Sequence, residues 1–310
     1  MAELLISVRD ETTSEHGWRS WLAASALQEC SPVRIVSGGD EWDPKDIWAG
    51  LVFNSPGDGR HLARLRAAGR PSLYHLWLGP LDQGRILEPV LHEPWHRMDT
   101  RLKMQAATAV LVDSFAQAAA AQDHYALTPA WAVLRPAPDG QYRNADGLRP
   151  NRAAFARLLV VGDMDSAVES AVEHWCVENG IKPERYTREV EILQALHASH
   201  EEGIIVLWLY RSSYGERILS ACASGVPLVA MATGVVDPTS ALAEWIKDAE
   251  PETVVQALSR AAKWENGNLR AQIGAATGYD WTGWATQLLA GLRRLALSPA
   301  AQYLLPNQGG

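Results

Sequence analysis

Residues 203–232 read GIIVLWLYRSSYGERILSACASGVPLVAMA, a stretch that few architectures can accommodate. Residues 203–210, rich in Ile, Val, Leu, Trp and Tyr, predict a buried strand, and 211–215 form a polar turn. Residues 216–223 space small and apolar side chains as a helix does, Gly225 stops that helix, and 226–232 form a second buried strand. The result is a βαβ unit. Its turn opens a helix, so backbone N–H groups and the positive end of the helix dipole face whatever lies above Ser212, Ser213 and Tyr214. Such a place suits a phosphate.

The same alternation runs through the rest of the chain. Strands are expected at 3–8, 32–37, 47–54, 71–78, 109–113 and 130–134, with helices at 15–28, 61–68, 95–107 and 115–124. Strands separated by single helices imply a doubly wound parallel sheet, which holds ligands outside the carboxyl ends of its strands. Residues 135–152, RPAPDGQYRNADGLRPNR, are nearly devoid of apolar side chains and read as a linker. Beyond them come a strand at 157–161, a helix at 166–178, a short strand near 185–188 and a helix at 190–199, leading into the βαβ unit. Helices at 238–247 and 251–263, a polar break and an amphipathic helix at 281–297 close the chain. The PNQGG tail is expected to be disordered. The expected fold class is α/β, with two Rossmann-like domains at 1–140 and 153–280 and a last helix at 281–298.

A chain of 310 residues with 47% hydrophobic content can build two real cores. Its net charge of −8 argues against a protein whose main task is to grip nucleic acid or an anionic membrane. Cys30, Cys176 and Cys222 are too widely spaced to suggest a disulfide framework or a zinc site. The N-terminus lacks the basic and long apolar regions of an export signal, and no apolar run approaches about 18 residues. The expectation is a cytoplasmic protein with no membrane span.

Together, two Rossmann-like halves, a Pro/Gly-rich hinge and a C-terminal helix able to cross back to the first domain resemble a GT-B glycosyltransferase, whose domains face each other across a cleft. The stretch YGERILSACASGVPLVA from Tyr214 is similar to the nucleotide-sugar segment of that family, usually GFGLPxLEAMACGxPVVA. Residues 248–262 and 279–295 resemble its closing stretch. The chain departs from the family in two ways. Many retaining members carry two glutamates with seven residues between them, at the positions of Ser212 and Ser220 here, and the usual Arg and Lys after the first strand of the second domain are replaced by Asp163-Met164-Asp165-Ser166 following Gly162. Arg217, in the first turn of the helix, resembles instead the RxxE of inverting members such as phage DNA glucosyltransferases, with Ser220 in place of the Glu.

The resemblance implies a nucleotide-diphosphate sugar donor, UDP-linked, held by Gly162, Ser212, Ser213, Tyr214, Gly215, Glu216, Arg217 and Ser220, with no metal and no other cofactor. Arg217 and Ser220 stand three apart on one helical face, and arginine offers bidentate donors to phosphate; a solvated surface arginine and a simple N-cap serine are the plainer readings. Inversion requires a base at a strand end of the first domain: Asp10 and Asp82 are favoured, while His75 fits either that role or a hydrogen-bonded core histidine. Asp163-x-Asp165 fits a metal pair less well than a helix cap. Thirteen tryptophans belong mostly to cores, with one or two available to an acceptor. The acceptor order is small molecule or saccharide, then a modified DNA base. A non-catalytic GT-B subunit and an enzyme using another activated donor, such as a sugar-phosphate epimerase, are the alternatives. Oligomeric state is not legible.

Overall fold

The computed structural model describes residues 2–8, 15–53, 58–82, 84–138, 155–198, 203–211, 215–239, 241–278, 280–297 and 303–304. The chain forms two compact units, one of residues 1–79, 84–136 and 281–310, the other of residues 80–83 and 137–280.

In the first unit, β1 (Glu3–Ser7) leads through α1 (Glu15–Cys30) to β2 (Val33–Val36), and β3 (Ile47–Phe53) leads through α2 (Asp58–Ala67) to β4 (Ser72–His75). The short strand β5 (Leu81–Asp82) falls in the second unit, and the first resumes with β6 (Arg85–Ile86), α3 (Pro94–Ala106), β7 (Ala109–Val112), α4 (Phe115–Tyr125) and β8 (Trp131–Val133). The parallel sheet has the order β8-β7-β4-β3-β1-β2. Its strands carry Leu4, Leu5, Ile6, Leu51, Val52, Leu73, Tyr74, Val110 and Leu111 in the interior, as expected of a sheet covered on both faces.

The second unit holds β9 (Arg157–Val161), α5 (Ser166–Asn179), β10 (Lys182–Tyr186), α6 (Glu189–Ala198), β11 (Ile204–Trp208), α7 (Gly215–Ala223) and β12 (Leu228–Met231). It continues with β13 (Glu244–Ile246), α8 (Pro251–Ala261) and α9 (Asn266–Thr277). The parallel order is β10-β9-β11-β12-β13. Successive residues of a strand point to opposite faces, and here they feed two cores. Leu159, Val161, Val206, Trp208 and Leu228 pack on one face with residues of α6 and α7; Leu158, Val160, Ile205, Leu207 and Val229 pack on the other with residues of α5 and α8. β10, which contains Pro183, takes the sheet edge, where a missing N–H is tolerated.

The last helix, α10 (Trp281–Leu297), packs against α1 and buries Trp284, Leu288, Leu292 and Leu295, the stripe read from the sequence. Residues 303–304 add β14 (Tyr303–Leu304) beside β8, where the sequence shows no strand signal.

Two expectations are corrected. The helix at 238–247 is not formed: Glu244, Trp245 and Ile246 pair in parallel with Val229, Ala230 and Met231, so the edge of β12 gains a partner at the expense of local helical spacing. The polar break before residue 278 contains α9, whose Asn and Gly content hides it. A capping box between Glu265 and Asn268 starts this helix, and burial of Leu269, Gln272 and Ala276 holds it. The expected linker at 135–152 lies largely outside the described residues, as does the PNQGG tail. No described helix is long and apolar enough to cross a membrane.

Candidate functional site

In the second unit the strand order reverses at β9, and the carboxyl ends of β9 and β11 flank that switch point, where open α/β sheets take ligands. Gly162 ends β9 with φ of +109°. A Cβ there would lie 2.3 Å from the Tyr210 amide nitrogen, because Leu209 and Tyr210 both donate backbone bonds to Val161 O, at 2.8 and 3.1 Å. Only glycine combines that dihedral with that approach. The chain then passes Arg211, whose guanidinium stands 3.6 Å from the Asp82 carboxylate with both side chains nearly half exposed.

Ser212, Ser213 and Tyr214 lie outside the described residues. Gly215 and Glu216 open α7 and are buried. Arg217, in the first turn, donates from Nη1 to Glu189 Oε2 at 2.6 Å. Glu189 is itself buried at the start of α6, so a nearly desolvated carboxylate fixes the arginine. Ser220 is fully buried, and its hydroxyl donates to Glu216 O at 2.6 Å. That donated bond lies within its own helix. Asp165 caps α5, its Oδ1 accepting from Ala167 N and Val168 N at 2.9 and 2.8 Å. That carboxylate occupies the amides an anion would use at α5.

In the first unit, the carboxyl ends of β4 and β7 bring His75 and Asp113 together. His75 Nε2 lies 3.5 Å from Asp113 Oδ1, and the His75 ring tilts against Phe53 at 5.0 Å between centroids. Arg19, from α1, forms a two-bond pair with the same carboxylate, through Nη1 at 2.7 Å and through Nη2. All three groups are buried. Burial would raise the Asp113 carboxyl, but the Arg19 charge and the His75 contact overcome it and hold the group well below the usual carboxylate range. Burial, and then the Arg19 charge, push His75 below its ordinary value against the opposing pull of Asp113, so the ring is neutral near neutral pH. The sequence offered Asp113 only as the end of a strand and gave no sign of Arg19. Asp10 lies outside the described residues, and Asp82 belongs to the second unit, beside Arg211.

Four histidines, His61, His75, His96 and His124, are all shifted downward, each with burial as the largest cause. A depressed folded value means that the unfolded chain binds more protons below about pH 6.5, so stability present above that pH is lost as pH falls toward the folded values. The midpoint of thermal unfolding is expected to fall steadily as pH is lowered from about 7.5 to about 5.5. A midpoint that rises over this window would contradict the burial of these rings.

No family model matches the sequence, and no curated protein does. Solved structures do match over almost the whole chain. HepE from Anabaena, solved in complex with UDP and glucose, aligns at a TM-score of 0.56 and 13% identity, covering 95% of this chain and 100% of its own. A glycosyltransferase from Rickettsia africae aligns at 0.64 and 10% identity, covering 96% and 99%. A UDP-forming α,α-trehalose-phosphate synthase from Burkholderia xenovorans, solved with glucose-6-phosphate, aligns at 0.59 and 11% identity, covering 94% and 100%. The fold is GT-B. Each GT-B unit offers the carboxyl ends of its strands as a ligand edge, and the Arg217–Glu189 and His75–Asp113–Arg19 groups stand on those edges.

Proposed function

We propose that this protein is a glycosyltransferase that moves a sugar, a hexose, from a UDP-linked donor to the hydroxyl of a small molecule or saccharide. The observation that carries this reading is the switch point of the second unit. There Gly162 admits a close backbone approach, and Arg217, fixed by Glu189, stands in the first turn of α7. Guanidinium and helix amides together stabilise the charge that develops on a departing diphosphate without a metal ion. GT-B neighbours solved with UDP and sugars support this choice of ligand.

Of the three candidate bases, His75 has the most suitable chemistry: a neutral imidazole beside a carboxylate that orients it, able to take the proton of an acceptor hydroxyl. An acceptor on DNA is the weaker choice, because a chain of net charge −8 repels the phosphate backbone. A second reading, a binding subunit without transfer activity, draws on Ser212 and Ser220 standing where many retaining members have glutamates, and on the inward bond of the Ser220 hydroxyl.

The deciding experiment follows nucleoside diphosphate release from a panel of nucleotide sugars in the presence of pooled saccharide and small-molecule acceptors. Release from a UDP-hexose that is dependent on acceptor, and reduced about a hundredfold or more in His75→Ala, is expected. Donor binding without release by the wild-type protein would favour the binding subunit.

A further inference from the structure

We propose that α3 is a docking surface that lays an apolar stripe on an anionic lipid surface. This inference is independent of the reaction assigned above. The inner face of α3 is fixed by buried Thr100 and Met104. On the opposite side, Trp95, Met98 and Leu102 follow one another at positions i, i+3 and i+7, and they are 62%, 63% and 59% exposed. Val90, also exposed, precedes them in the 3-10 turn formed by Pro89–His92. Three large apolar side chains aligned on one open face of a single helix are not explained by the core, since Met104 and Thr100 already supply its packing.

The charges beside the stripe point to the partner. Arg101 lies on one flank, and Arg66 of α2 reaches that flank by donating from Nη1 to Gln105 O at 3.1 Å. On the other flank Lys103, only 12% exposed, is paired with the half-exposed Asp99 at 2.7 Å and adds no open positive charge. The two helices carry Arg60, Arg64, Arg66, Arg97, Arg101 and Lys103 against Asp58 and Asp99, with Glu88 and Glu93 before α3, a net positive balance in a chain whose net charge is −8. A cationic face on an acidic protein complements an anionic surface. A helix with apolar residues on one side, basic residues beside them and a tryptophan at one end suits the bilayer interface. A stable protein interface requires about 800 Å² per partner, far more than a stripe of three side chains supplies, whereas a membrane requires no matching surface.

The test is flotation of the intact chain with vesicles of phosphatidylcholine alone and of phosphatidylcholine mixed with phosphatidylglycerol. Binding to the mixed vesicles is expected, weakened by salt. It should fall about tenfold or more both in the triple variant Trp95→Ser, Met98→Ser, Leu102→Ser and in the double variant Arg66→Glu, Arg101→Glu. The triple variant replaces exposed side chains, so its thermal midpoint should match that of the parent and separate lost docking from lost folding. Absence of vesicle binding, or binding that the triple variant retains, would overturn the proposal. So would self-association of the parent chain in sedimentation velocity that the triple variant abolishes, which would assign the stripe to a second copy.

Discussion

Asp113→Ala is expected to lower the stability of the protein by about 3–5 kcal/mol, the cost of leaving one member of a buried ion pair without its partner. The Arg19 and Asp113 side chains are each 4% exposed, so solvent cannot replace the lost carboxylate. The same substitution strips His75 of the group 3.5 Å from its Nε2. The pair itself is not a source of stability of that size, because desolvation of both charges offsets most of their attraction. The double variant Arg19→Met, Asp113→Leu should therefore recover much of the loss, while leaving His75 without its orienting carboxylate. Urea unfolding of the parent, single and double variants separates these effects. A single variant that loses less than about 1 kcal/mol would show that the charge is hydrated after all.

The second large effect concerns binding. Arg217→Ala should weaken the affinity for UDP by about ten- to a hundredfold, the worth of a charged hydrogen-bonding group of about 1.5–3 kcal/mol. Arg217→Lys should recover only part of it, because an ammonium cannot reproduce the planar fork. Glu189→Gln should also weaken binding, by loosening an arginine that Glu189 Oε2 holds at 2.6 Å. Titration calorimetry on the three variants reads these losses directly. UDP affinity unchanged in Arg217→Ala would remove Arg217 from the donor site.

Much of the architecture was legible because the strands of the second unit are covered on both faces. That burial demands long apolar runs, and the runs at 157–161 and 203–210 located β9 and β11. α10 was legible for the opposite reason: its one-sided stripe of Trp284, Leu288, Leu292 and Leu295 has a helical period that no strand shares. β13 and α9 were not legible, since the first is decided by the open edge of β12 and the second by burial of residues with weak helical propensity.

The candidate site divides in the same way. Gly162 and the opening of α7 follow from local pattern, whereas Arg19 meets Asp113 across 94 residues and Arg217 meets Glu189 across 28, pairings that no sequence period encodes. Ser220 adds a detail of the same kind. It stands three residues from Arg217 and donates its hydroxyl to Glu216 O within the helix, a bond that spacing alone does not reveal.

The central claim, that the second unit holds a nucleotide sugar, is tested most directly by thermal unfolding of the intact protein with nucleoside diphosphates and nucleotide sugars. A ligand at about 100 times its dissociation constant adds about 2.7 kcal/mol to the folded state. UDP and a UDP-hexose are expected to raise the midpoint together, and Arg217→Ala to abolish the rise. A midpoint that no nucleotide moves would contradict the donor site.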